Sequence, residues 1–150
     1  MNPYNGPVIA TSFADPDDVL AWGAAKEKFL HQGLSVDEAE SRANKFGDSG
    51  IGFCGDFTGT TGQSMCALPP EDWRIWGDKH QANGRLVKIV YNGKHVIAEL
   101  RDTMPHRDQI PNGAGIDLNP GALKALDLAA PLEEPGFLWR WLESPPENSL

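Results

Sequence analysis

The strongest constraint on the fold is a pair of short segments joined by the dipeptide Asn92-Gly93. Apolar and polar residues alternate along residues 85–91 and again along residues 94–100. A period of two is typical of a β-strand with one buried face, and Asn-Gly is the preferred dipeptide of a two-residue type I′ turn. The sequence therefore predicts an antiparallel β-hairpin at this position.

Glycine and proline support a β architecture. The chain has 16 Gly and 12 Pro among 150 residues, which favours a turn-rich fold over a helical bundle. This length suits one domain, residues 1–150, and we expect its tail, 144–150, to be frayed.

The net charge is −8 and the basic residues do not cluster. These features argue against nucleic acid and anionic membranes as partners.

Further strands and helices follow from local patterns. Besides the hairpin, strands are expected at residues 7–13, 64–68, 116–118 and 137–142. Between the first two lies a segment with helical spacing, residues 16–46. Asp15 is the expected N-cap of its first helix, Ser35 is the N-cap of its second, and Gly47 ends it. Asn119 predicts the start of one short late helix. Residues 47–62 and 71–84 are expected to be loops.

The cysteines and the N-terminal segment leave several possibilities open. Cys54 and Cys66 allow one disulfide or two buried thiols, and a cysteine nucleophile with a distant histidine remains an alternative. The spacing of cysteine and histidine is not that of a metal site, so no metal or cofactor is expected. The first residues lack the basic and apolar regions of a secretory signal, and no apolar run reaches the ~20 residues of a membrane span.

One stretch of the chain resembles a known family. The hairpin leads into Asp102-Thr-Met-Pro105, and a glycine-containing loop then leads into Ile116-Asp117-Leu118-Asn-Pro and an Ala/Leu helix. This order resembles the double-psi β-barrel of expansins, rare lipoprotein A and related lytic transglycosylases. The resemblance covers residues 7–13 and 63–142. It implies a mainly β fold, a six-stranded double-psi β-barrel with a helical hairpin inserted at about 16–46. The histidine that rare lipoprotein A carries before its Leu-Pro turn is missing here.

The resemblance also implies an activity and a pair of catalytic residues. Asp117 takes the place of the family's acidic residue, and Asp102 would be its partner across the barrel. Cleavage of a glycosidic bond needs a protonated acid, and the apolar neighbours of Asp117 are expected to raise its pKa. The implied substrate is a cell-wall polysaccharide, peptidoglycan or a cellulose-like glycan. The implied enzyme is a lytic transglycosylase or a glycoside hydrolase.

Other residues are candidates for contact with the glycan. They are Thr11, Ser12, Trp73, Trp76, Met104 and His106. Thr11 and Ser12 would hydrogen-bond the acid, and the two tryptophans would form a platform on which sugar rings stack. The alternative for the tryptophans is burial against the inserted helices. For His106 the alternative is a solvated loop.

Two further functions stay open at this point. The barrel could be a non-catalytic, expansin-like module that binds or loosens a wall. It could also be an assembly component of a phage or secretion apparatus, with the helical hairpin at 16–46 as the surface for a protein partner. Both the enzyme and the non-catalytic module would act at the cell wall or outside the cell. The visible sequence does not reveal an export route.

Overall fold

Six strands close into a barrel in a computed structural model that describes residues 2–145. The strands are β1 (Asn5–Ser12), β2 (Met65–Leu68), β3 (Leu86–Tyr91), β4 (Lys94–Thr103), β5 (Ala114–Leu118) and β6 (Glu133–Trp141). Around the barrel their order is β1-β5-β2-β4-β3-β6, and β6 closes the barrel against β1. The expected mainly β, six-stranded fold is confirmed. Of the tail expected to fray, residues 146–150 lie outside the described residues.

The barrel is a mixed sheet. The pairs β1/β5 and β2/β4 are parallel, whereas β1/β6, β2/β5, β3/β4 and β3/β6 are antiparallel. The predicted hairpin is present as β3 and β4, with regular pairing from Leu86 and Glu99 down to Tyr91 and Lys94. Its turn has φ of 51° at Asn92 and 79° at Gly93, the positive values that a type I′ turn requires.

The helices lie outside the barrel sheet. They are α1 (Pro16–His31), α2 (Val36–Ala43), α3 (Pro70–Trp73), α4 (Lys79–Ala82) and α5 (Pro120–Ala125), with 3-10 turns at Arg74–Trp76 and Arg107–Gln109. The inserted helical hairpin and the late helix are confirmed. Within residues 2–145, no helix has the length and apolar character needed to cross a membrane.

Two expectations about helix boundaries were wrong. Helix α2 ends at Ala43 because Lys45 and Phe46 donate to carbonyls three residues back, which tightens the chain into a turn before Gly47. The segment 71–84 is largely helical rather than a loop. Its helix α4 forms because Asp78 accepts from the backbone N–H groups of His80 and Gln81, and the Gln81 side chain accepts from the Asp78 N–H.

The main core fills the barrel. Its fully buried large side chains are Phe137, Leu68, Ile89, Leu100, Ile116, Leu118 and Leu126. Each such side chain contributes roughly 1.5–3 kcal/mol when it is removed from water. Trp139 and Trp141 join this core, as expected, and their rings meet edge to face with centroids 5.6 Å apart. The alternating pattern at the end of the chain therefore belongs to a strand that faces the core.

Candidate active site

Irregular strand pairing decides which side chains share the outer face of the barrel. Cys66 on β2 pairs with Leu100 on β4. The next residue, Ala67, pairs with Asp102, which leaves Arg101 as an extra residue on β4. A β-bulge of this kind turns the side chains that follow it to the other face of the sheet. Asp102 thereby lies beside Ala67 rather than facing the core with Leu100.

A second bulge acts in the same way on β5. The register between β1 and β5 shifts after Ile9 and leaves Gly115 as the extra residue. A Cβ at Gly115 would lie 2.7 Å from the Cβ of Val8, so glycine is needed for this close approach. Beyond the shift, Thr11 on β1 pairs with Asp117 on β5.

These pairings place four residues in one row across four neighbouring strands. Asp117 also pairs with Ala67, so the order along the row is Thr11, Asp117, Ala67, Asp102. Neighbouring strands lie about 4.8 Å apart, which separates the Cα atoms of the two aspartates by roughly 10 Å. The structure thus brings both predicted catalytic residues, with Thr11, to the outer face.

Asp117 is half-buried and accepts a hydrogen bond from the Thr11 hydroxyl. Burial raises its pKa to about 6, and the negative charges of Asp48 and Asp15 add to this rise, while the Thr11 hydrogen bond opposes it. The raised pKa expected from the apolar neighbours of Asp117 is present. Like charges of Asp48 and Asp15 also act on Asp117, and the charge of Asp117 in turn helps to raise the pKa of Asp102.

Asp102 is also half-buried, and its pKa is raised to about 7. Burial is the largest cause, and the charges of Asp48 and Asp117 act in the same direction. Backbone N–H groups of Thr103 and Phe53 oppose the rise by donating to the carboxylate, the first at 2.8 Å. A carboxyl with a pKa near neutrality is able to give up or take a proton at physiological pH.

Sequence reasoning missed Asp48 and assigned a different role to Asp15. Asp48 accepts from the Ala14 N–H at 3.0 Å and from the Gly50 N–H at 2.8 Å, so it ties the end of the helical insertion to the end of β1. The Asp15 side chain does not cap α1; it accepts from the Ser12 hydroxyl at 3.1 Å. The Gly-Asp-Ser-Gly run at 47–50 is a turn signal, but it does not indicate which strand the turn contacts.

Asp15, Asp48, Asp102 and Asp117 together form what we call the acidic cluster. All four are half-buried, and within residues 2–145 no Lys, Arg or His forms an ion pair with any of them. In the same range, no three His, Cys, Asp or Glu side chains have an arrangement that could hold a metal ion. The negative charges of neighbouring members thus help to raise the pKa of Asp15, Asp102 and Asp117.

A second, smaller apolar cluster surrounds these carboxylates. Its members are Phe13, Ala14, Ala67, Met104 and Ala114, with Ile9, Val19 and Ile110 packed at its edge. It lies on the face opposite the main core, and it removes water from one side of the row. This packing is the physical source of the burial that raises the two pKa values.

The other predicted contact residues, Ser12, Met104 and His106, lie in three different surroundings. Ser12 lies next to the acidic cluster, where its hydroxyl donates to Asp15 and accepts from the Leu132 N–H at 3.0 Å. Met104 is buried in the smaller apolar cluster, so its predicted contact with substrate was wrong. The His106 Nδ1 lies 2.8 Å from Glu71 Oε2. That hydrogen bond lowers the pKa of Glu71 to about 2.

The predicted sugar-stacking platform of Trp73 and Trp76 was also wrong. The two side chains are only 7% and 5% exposed, because they belong to the main core and not to a polar loop. Trp73 Nε1 donates to the Thr103 hydroxyl at 2.9 Å, and the Trp76 ring meets the Trp141 ring edge to face. Their burial is against the barrel rather than against the inserted helices.

Phe57 provides an exposed aromatic ring close to the cluster. It is 52% exposed, and its ring packs over Gly50 and Gly59. Beside it is a cleft of about 430 Å³ with a mostly polar lining, formed by Asp56, Phe57, Thr60, Gln63, Met65, Glu99 and Arg101. Arg101 pairs there with Asp56 at 3.4 Å and with Glu99 at 3.3 Å. Sequence reasoning placed this segment in a loop and did not select Phe57.

The two cysteines are free thiols rather than a disulfide. Cys66 is buried in the main core, and Cys54 is half-buried at the surface.

Comparison with known proteins supports no assignment to a family. No protein-family model matches this sequence, and no curated protein matches it at a significant level. Among solved structures, the chain is similar to the Streptomyces papain inhibitor, with 24% identity and a TM-score of 0.45. The match covers 63% of this chain and 84% of that chain. A likeness of this size carries no inference about activity.

Proposed function

We propose that this protein acts on a cell-wall polysaccharide, with peptidoglycan as the preferred substrate class. Asp117 is the general acid/base and Asp102 is its partner. The observation that carries the proposal is the row of Thr11, Asp117, Ala67 and Asp102, in which two carboxyls with raised pKa values flank one small residue. The proposal places the protein at the cell wall or outside the cell.

The chemistry of glycosidic cleavage fits this pair. The leaving oxygen must be protonated as the bond breaks, so the acid must hold a proton at the working pH. Burial and the neighbouring carboxylates favour the protonated form of both residues. An inverting hydrolase would need the two carboxyls ~6.5–9.5 Å apart, and a retaining one would need them ~5 Å apart. A lytic transglycosylase would need only Asp117, acting first as acid and then as base.

The surface beside the acidic cluster supports a sugar ligand. Phe57 offers an aromatic face to the apolar C–H side of a sugar ring. The polar side chains of the adjoining cleft offer hydrogen-bond partners to hydroxyl groups. Phe57 therefore replaces Trp73 and Trp76 as the proposed stacking residue. The proposal includes the double-psi barrel that the resemblance to expansins and rare lipoprotein A implies. The two parallel strand pairs, β1/β5 and β2/β4, support this barrel type.

A second candidate function is that of an assembly component. The helical insertion carries exposed apolar side chains, among them Leu20 on α1 at 72% and Phe46 in the turn after α2 at 57% exposure. These side chains favour contact between the helical hairpin and a protein partner. In this function the acidic cluster would have no substrate.

The test is release of soluble fragments from purified peptidoglycan. We expect the wild-type protein to release them, Asp117→Asn to abolish release, and Asp102→Asn to reduce it at least about tenfold. Asp108→Asn, at an exposed acid outside the cluster, is the matched control and should leave release unchanged. Binding to insoluble walls without products would indicate the non-catalytic, expansin-like module. The proposal fails if no glycan is bound or cleaved.

A further inference from the structure

A second chemically competent group lies beside the acidic cluster, since Cys54 follows Phe53, whose N–H donates to Asp102. The Sγ atom of Cys54 is 3.8 Å from Nδ1 of His80 and 3.5 Å from the backbone carbonyl oxygen of Lys79. Cys54 lies in a turn closed by the Gly55 N–H and the Gly52 carbonyl, and His80 lies in helix α4. Two separate segments of the chain therefore hold a thiol against an imidazole.

The position of His80 is fixed by the start of α4. Asp78 accepts from the His80 N–H at 2.9 Å and from the Gln81 N–H at 3.0 Å. With its proton on Nε2, the imidazole presents an acceptor at Nδ1, and the thiol of Cys54 is within reach of it. The thiolate is the nucleophilic form of cysteine, so a histidine that takes the thiol proton raises reactivity.

The other cysteine provides an internal contrast. Cys66 is fully buried in the main core, and burial raises the pKa of its thiol far above the ordinary value. It has neither access to a reagent nor a tendency to ionise. Cys54 is half-exposed and faces an imidazole.

We propose that Cys54 and His80 form a reactive Cys–His pair, and that Cys54 exchanges with low-molecular-weight disulfides. His80 Nδ1 accepts the thiol proton, and the Cys54 thiolate attacks one sulfur of the disulfide. A mixed disulfide forms on Cys54 as the S–S bond of the reagent breaks. The departing thiolate takes the proton from the imidazolium, so a thiol and a disulfide are consumed and a mixed disulfide and a thiol are produced.

Charged groups of both signs lie around the pair. Asp56 lies two residues after Cys54, but its carboxylate is paired with Arg101 and accepts a weak hydrogen bond from the Asn83 amide at 3.4 Å. Glu99 shares the same arginine. Asp78 accepts from the His80 N–H, and Asp102 accepts from the N–H of Phe53, the residue before Cys54. Of these four carboxylates, those of Asp56 and Glu99 are thus paired with a cation.

The test is the rate at which DTNB, an aromatic disulfide, reacts with the folded protein across a range of pH. We expect one of the two thiols to react fast, peptide mapping to place the label on Cys54, and Cys54→Ser to remove the fast phase. His80→Asn should slow the reaction roughly five- to tenfold at about pH 7, because the thiol loses the group that accepts its proton. Glutathione disulfide, followed by mass spectrometry, should modify the same residue.

His95→Asn is the matched control, because His95 is exposed on β4 and should leave both the rate and the pH profile unchanged. Near-ultraviolet circular dichroism checks that each variant is folded, and His80→Gln serves as a second variant at the same position. The proposal is overturned if both His80 variants react within about twofold of wild type at every pH. A fast label on Cys66 would overturn it as well.

Discussion

At the scale of single residues, the acidic cluster works against stability. Asp102 and Asp117 lie beside apolar side chains and beside other carboxylates, and both features penalise the charged form. An enzyme that needs a protonated acid near neutral pH accepts this penalty, because the same burial supplies the proton. The two aspartates therefore link the proposed chemistry to the pH dependence of folding.

The first prediction follows from Asp102. Its pKa is about 7 in the fold against 3.8 for the free side chain, so between these values the folded state holds a proton that the unfolded state has lost. The contribution of Asp102 to the free energy of unfolding is thus greatest below about pH 4 and falls as the pH rises to about 7. Asp102→Asn should change the free energy of unfolding by almost nothing near pH 4 and stabilise the protein by roughly 4 kcal/mol near pH 8, because asparagine resembles the protonated acid and does not titrate.

Urea unfolding at the two pH values measures the difference. Asp108→Asn, at an exposed position, should show no such pH dependence. Equal or lower stability of Asp102→Asn near pH 8 would contradict the assigned burial.

At the scale of elements, local patterns predicted the regular strands and helices but not the bulges. Alternation over residues 85–100 was enough to place β3 and β4, because a one-residue slip would expose every core side chain. The extra residues Arg101 and Gly115 leave no mark on that alternation, since a bulge depends on the neighbouring strand. The resemblance selected Asp102 and Asp117, but the reason that they share a face became visible only in the strand pairing.

At the starts of helices, too, the local sequence predicted some contacts and failed to predict others. Ser35 caps α2 by accepting from the Glu38 N–H at 3.2 Å, as its local pattern predicts. Asp15 fits the same pattern, yet its carboxylate is drawn to Ser12. Trp73 and Trp76 lie in a polar stretch of sequence, but short helices turn both rings into the barrel core. At Trp73 and Trp76, contacts that are distant in sequence overrode local preference, whereas Asp15 accepts from a hydroxyl only three residues away.

The second prediction concerns Asn119, the N-cap of α5. Its Oδ1 accepts from the N–H groups of Met65 and Ala122, and its Nδ2 donates to the carbonyls of Thr58, Thr60 and Gln63. Asn119 thus joins β2, α5 and the loop beside the Phe57 cleft. Asn119→Ala should lower the free energy of unfolding by roughly 3 kcal/mol, because several buried backbone groups lose their partner.

Urea unfolding measures that loss, and limited proteolysis should show faster cleavage between residues 58 and 63. Asn44→Ala is the control; Asn44 is exposed and makes one side-chain hydrogen bond, to Trp22. We expect it to cost less than about 1 kcal/mol. A loss of under about 1 kcal/mol for Asn119→Ala would show that the loop is held by other contacts.

At the scale of the whole molecule, the two ends of the helical insertion meet beside the barrel, where Asp48 accepts from the Ala14 N–H. The main core contains no residue from 16–46. The insertion does contribute Val19 to the edge of the smaller apolar cluster. Its two ends also supply Asp15 and Asp48, half of the acidic cluster. The insertion is therefore absent from the barrel interior but close to the proposed chemistry.

The third prediction is that the barrel folds without these helices. Replacing residues 17–46 with a short Gly-Ser linker should preserve the near-ultraviolet signal of Trp139 and Trp141, because both rings pack in the main core. Circular dichroism and thermal unfolding report the result. A second, longer linker shows whether a failure to fold comes from strain at the join or from the loss of the helices. Loss of the tryptophan signal with both linkers would show that the barrel needs the insertion.

Closure of the barrel by β6 has a consequence for synthesis on the ribosome. The strand that pairs with both β1 and β3 is the last of the six to be made. Until Trp141 has left the exit tunnel, β1 and β3 each present an open edge of unpaired backbone groups to other nascent chains. A sheet formed by the first five strands would thus stay open until β6 pairs with it. Its two free edges would be the part of the barrel most able to pair with another chain.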